Sequence, residues 1–117
     1  MLVSAVKGSS GGGTKCASGY YASSVPSTIT TVDDTTGVAF EPKKISLVCE
    51  YNGSKTMACV YDATQSSTTY VRYYNNTRST LPIPRTASND GLDTVTSTGF
   101  TLYGNSVFTY CYYIAEG

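Results

Sequence analysis

From Lys15 onward, apolar and polar residues alternate with period two in short runs separated by turn formers. The clearest run is Lys43 to Tyr51. Ile45, Leu47, Cys49 and Tyr51 fall on one side, and Ser46, Val48 and Glu50 on the other. Similar runs predict strands at 16–23, 27–32, 55–62, 68–74, 94–97, 100–102 and 107–114. Asn52-Gly53, between two of them, is the strongest hairpin signal in the chain. Residues 33–37 and 103–106 read as turns, and Thr98-Gly99 as a kink or bulge. About eight short strands at this spacing predict an all-β fold, an antiparallel β-sandwich or jelly-roll-like arrangement. Ile45, Leu47, Phe100 and Leu102 are its expected core residues. The last run is apolar on both sides, with Phe108, Tyr110, Tyr112 and Ile114 opposite Val107, Cys111 and Tyr113. Such a strand is central in a sheet or meets a partner subunit.

Two stretches break the pattern. Residues 1–14 end in Gly8-Ser9-Ser10-Gly11-Gly12-Gly13-Thr14, a composition that buries no core and predicts a flexible Gly/Ser-rich N-terminal arm ahead of a single domain at 15–117. Residues 75–90 hold two prolines, two arginines and several turn formers. They read as the longest irregular stretch, a functional loop or a solvated connection with a short edge strand near residues 81–83.

Composition strengthens the β reading. Val, Ile, Thr, Tyr and Phe total 46 residues against 27 of the good helix formers Ala, Leu, Glu, Lys, Gln, Arg and Met, so propensity favours sheets. Leu, Ile, Val and Phe alone are only 22 of the 117 residues, but 11 tyrosines supply further apolar area. Eight basic residues balance eight acidic ones, without the basic excess of a nucleic-acid-binding protein. No apolar run is long enough to span a membrane, and residues 1–7 lack the h-region of a secretory signal, so no membrane insertion is expected.

The chain has no histidine, which removes the commonest general base and the usual zinc ligand. Cys16, Cys49, Cys59 and Cys111 form no CxxC pair; two disulfides in three connectivities are open to them, and small reduced core residues are the plainer reading. Asp33, Asp34, Glu50, Asp62, Asp90 and Asp93 mostly sit among turn formers, where Asp caps backbone amides. The clusters Asp33-Asp34 and Asn89-Asp90-Gly91-Leu92-Asp93 lack the spacing of a built calcium loop. No catalytic residue, cofactor or metal is therefore expected. The sequons at Asn52 and Asn75 read as turns. Tyrosine is the more informative residue. Tyr20, Tyr21, Tyr70, Tyr73, Tyr74, Tyr103 and Tyr113 cannot all face so small a core, and exposed Tyr beside Asn, Ser and Arg makes a binding surface for protein or sugar. Tyr73, Tyr74, Arg78 and Arg85, on or beside residues 75–90, are the candidate binding residues.

Three fragments carry a family resemblance: Phe40-Glu41-Pro42-Lys43-Lys44-Ile45, Thr96-Ser97-Thr98-Gly99-Phe100-Thr101-Leu102 and Tyr110-Cys111-Tyr112-Tyr113-Ile114-Ala115. In this order and at these distances the chain resembles the small β-sandwich domains of bacteriophage virion proteins, found at tail-fibre tips and as short accessory structural proteins, some related to H-type lectin folds. The resemblance spans residues 16–116. The cysteines depart from it, as does Val38-Ala39-Phe40 where the pattern often has Gly-Phe. It implies a non-enzymatic virion protein made in the host bacterial cytoplasm: a capsid decoration or minor capsid protein, or a tail-fibre or receptor-binding component. The implied partners are other virion proteins and further copies of the chain. A lectin-like domain binding a host-surface glycan is the alternative.

Overall fold

The computed structural model describes residues 14–51, 55–86 and 90–117. Residues 1–13 of the expected arm, the Asn52-Gly53 turn and Asn89 lie outside the described residues. Among the described residues, nine strands form two antiparallel sheets: β1 (Cys16–Tyr21), β2 (Thr28–Thr30), β3 (Lys44–Tyr51), β4 (Lys55–Asp62), β5 (Thr69–Tyr74), β6 (Thr77–Pro82), β7 (Gly91–Thr96), β8 (Gly99–Tyr103) and β9 (Phe108–Glu116). The larger sheet has the order β1-β9-β3-β4-β5-β6, and the smaller β2-β8-β7. The fold is thus the all-β sandwich expected from the alternation.

The inward residues of both sheets meet in one core. Ile45, Leu47 and Cys49 from β3, Met57 and Cys59 from β4 and Cys111 from β9 face Ile29, Leu92 and Phe100 of the small sheet, all nearly inaccessible to solvent. The Phe100 ring meets Tyr113 edge-on across the sandwich, with centroids 5.4 Å apart. Each fully buried side chain of this kind contributes about 1.5–3 kcal/mol. Cys49 and Cys111 are cross-strand partners, and the Cys49 thiol donates to the Cys111 sulfur at 3.4 Å. This contact first, and then burial, push the Cys49 thiol up, and burial raises Cys59 to about 12, so both stay protonated at neutral pH.

Three local features differ from the sequence expectation. Thr77–Pro82 is a six-residue edge strand, so the first half of residues 75–90 is not irregular. Asn75 and Asn76 both take positive φ, 52° and 66°, and form the tight turn that reverses β5 into β6. Ser97-Thr98 closes the β7–β8 hairpin, with Thr96 opposite Gly99, so Thr98-Gly99 is no kink within a strand. Gly99 is required for a different reason: a Cβ there would run into the backbone carbonyl of Ile29 on the adjacent β2. The bulge falls at Asp93 instead. A second irregularity between Glu50 and Tyr51 pairs Tyr51 with Phe108, leaving Thr109 as the extra residue. Phe108 is thereby buried, away from the side it was expected to share with Tyr110, Tyr112 and Ile114.

The segment before β3 and the two ends of the described N- and C-terminal strands are tied together. Thr31 is buried, with its hydroxyl donating to the Phe40 carbonyl at 2.7 Å, and Pro42 is enclosed ahead of β3. The Lys43 amide donates to the Glu116 carbonyl at 2.7 Å, and the Gly117 amide to the Lys15 carbonyl at 2.9 Å.

Candidate docking face

The small sheet covers only one side of the large sheet. On the other, the register aligns a row across all six strands: Tyr20, Tyr112, Val48, Ala58, Tyr73 and Arg78. The next row holds Ile114, Ser46, Val60 and Val71 at its centre. These side chains point out because their neighbours in sequence point into the core, a direct result of the two-residue period. Tyr20 is 64% exposed, Tyr73 45%, Val60 44% and Tyr112 40%, an unusual concentration of large apolar groups in water. Tyr20 leans against Tyr110 with centroids 5.9 Å apart.

Val60 stands as a ridge between two shallow grooves. One, of about 240 Å³, is bounded by Lys44, Ser46, Asp62, Ile114 and Glu116. The other, of about 250 Å³, is bounded by Gln65, Ser66, Thr69 and Val71. The face is apolar through its middle and charged at this end, where Lys44 pairs in register with Asp62 and Glu116.

The four residues singled out in the sequence do not form one site. Tyr73 and Arg78 are cross-strand partners on the open face, and both are exposed. Tyr74 turns to the opposite side, edge-on to Tyr51 at 5.6 Å, with the Arg72 guanidinium 5.4 Å from its ring centroid. Arg85 is tied to the small sheet: its amide donates to the Asp93 carbonyl at 3.0 Å, and its guanidinium lies 3.3 Å from the Tyr103 ring centroid. The structure thus joins Tyr73 with Arg78 and leaves Tyr74 and Arg85 elsewhere. Tyr20, Tyr112, Val48, Val60 and Ile114 complete the face. The two-sided apolar pattern of β9 carried part of this signal, because β9 is interior to its sheet and also open to solvent on one side.

Asp33, Asp62, Asp90 and Asp93 are engaged in local structure. Asp33 accepts the Cys16 amide at 3.1 Å and the Thr36 hydroxyl at 2.8 Å, which hold its carboxyl below the ordinary carboxylate value. The Thr64 hydroxyl, donating at 2.6 Å, lowers Asp62 in the same way. Asp90 accepts the Tyr51 hydroxyl at 2.9 Å. Burial first, then this hydrogen bond, raises Tyr51 and keeps its phenol protonated. Among the described residues, no cluster of three or more potential metal ligands occurs. Nor is any helix among them long and apolar enough to cross a membrane. No protein-family model matches the chain, and neither does any curated protein or solved structure.

Proposed function

We propose that the chain is a non-enzymatic structural component of a bacteriophage particle that docks by protein–protein contact through the open face of its large sheet. The observation that carries the docking role is the in-register row of exposed tyrosines and β-branched residues on that face. Tyrosine gives large contact area for little lost side-chain entropy, and the charged groups lie toward the end of the face, as in an interface with a polar rim. The phage assignment rests on the three motif fragments and extends to capsid decoration, a minor capsid protein or a tail-fibre component, made in the host cytoplasm and carried in the virion.

The test is the protein content of purified particles from a lysate producing this chain. Copies in fixed proportion to the major capsid or tail protein support the reading, and absence from intact particles overturns it. One observation favours a second reading. Exposed phenol rings such as Tyr20 also stack on sugar rings, so a lectin-like receptor-binding role uses the same face. Glycan binding that is lost on Tyr20→Ala and Tyr112→Ala would replace docking to protein with docking to a host glycan.

A further inference from the structure

The open face is self-complementary, and we infer that its occupant is a second copy of this chain, packed sheet against sheet about a two-fold axis. The inference rests on reading this face as an assembly surface and names the partner. The axis lies in the interface, along the strands, between β3 and β4, the middle pair of the six. Rotation about it lays β3 over β4 of the second copy, β9 over β5, and β1 over β6, while each row stays at its own height.

The register then fixes the pairings. Val48 lies over Ala58 of the second copy, and Ser46 over Val60 of the second copy, so a small residue faces a larger one at each step near the axis. Small-against-large alternation is what lets two sheet faces interdigitate at about 10 Å. Tyr112 lies over Tyr73 of the second copy, and Tyr20 over its Arg78, giving aromatic and cation–π contacts on both flanks. At the charged end, Lys44 lies over Asp62 of the second copy and Asp62 over its Lys44. Every one of these contacts occurs twice, as an isologous interface demands.

Area is consistent with this. Six strands at ~4.8 Å spacing, with outward residues from Lys44 to Glu50 at ~3.4 Å rise, give roughly 29 by 24 Å, on the order of 700 Å² per copy. A standard stable interface takes about 800 Å² from each partner. Equal numbers of acidic and basic residues mean that two copies carry no net repulsion.

Sedimentation equilibrium of the full chain over a range of concentrations tests the proposal. The expected result is a reversible dimer. Lys44→Asp alone places acidic groups on both sides of the interface, and Asp62→Lys alone places basic groups there. Each is expected to raise the dimer dissociation constant at least about tenfold. Mixing equal amounts of the two variants brings opposite charges together again, only across the interface, and is expected to restore dimers containing one chain of each. This mixing rescue separates contacts between copies from the Lys44–Asp62 contact within a chain. Ala58→Arg, at a half-buried outward position, is a further variant whose folding is checked by circular dichroism; it is expected to give a folded monomer. A wild-type chain that stays monomeric at every concentration overturns the proposal, as does a dimer that persists in Ala58→Arg or that mixing fails to restore. The particle reading stands or falls separately, on whether virions contain the chain, since a monomer present in virions would be held by a different virion protein.

Discussion

The two faces of the large sheet are made by the same strands and differ in almost everything else. Along β3, Ile45, Leu47 and Cys49 are enclosed, while Ser46, Val48 and Glu50 between them remain partly open to water. The inner face combines aliphatic and sulfur side chains with the buried rings of Tyr61, Tyr70, Phe108 and Tyr113. The outer face spends its apolar surface on tyrosine, valine and isoleucine that the domain does not need for its own core. Folding stability is therefore concentrated on one side of each strand and the proposed docking surface lies on the other, so substitutions one residue apart in sequence should separate the two properties.

The largest expected break is Phe100→Ala, on the inner side. It removes a ring that spans the two sheets and should cost about 3–5 kcal/mol, read as a shift in the urea midpoint or as outright unfolding. Alkaline titration probes the same side without mutation. Burial raises Cys59 from 9.0 to about 12 and Tyr113 from 10.0 to about 12, and raises Tyr70 as well. The folded state favours the neutral forms, so this stability is complete below the unfolded-chain values and is lost as pH rises through them towards the folded ones. Thermal scans should show constant stability from neutral pH up to about pH 9 and a steep fall between about 9 and 12.

Two adjacent tyrosines sharpen the comparison. Tyr74→Ala, on the inner side, loses its edge contact with Tyr51 and its neighbour Arg72, and should cost about 1–2 kcal/mol in chemical denaturation. The smallest effect on stability belongs to Tyr73→Ala with Arg78→Ala on the outer side. Calorimetry should find each change worth less than about 0.5 kcal/mol, while association through the face weakens. Equal costs for Tyr73 and Tyr74 would erase the division between the faces.

Alternation alone made most of this legible. The strand at Lys44–Tyr51, the fold class and the core positions Ile45, Leu47, Phe100 and Leu102 all follow from period-two patterning. What alternation does not encode is where the count slips. Thr109 and Asp93 each interrupt a ladder, and the first of these turned Phe108 inward. Asn75-Asn76 carries the chemistry of a tight turn, yet its flanking residues Thr77–Thr80 are too polar to announce a strand, since that strand is an edge with little to bury. The candidate site was half legible for a related reason. Tyr73 and Arg78 were recognisable as exposed, but which residues stand beside them depends on strand order. β1 and β9 join one end of the sheet and β5 and β6 the other, a fact of long-range pairing that no local window contains.

Pairing of Cys16 with Glu116 places the two ends of the folded region side by side at one corner. A tension applied between residues 15 and 117 therefore enters the β1–β9 ladder at its open end and loads its rungs one after another, as a zipper is pulled, rather than all together along the strands. Peeling of this kind yields at far lower force than sliding. A pull that arrives instead through one of these ends and a partner docked across the sheet face would not load this ladder rung by rung.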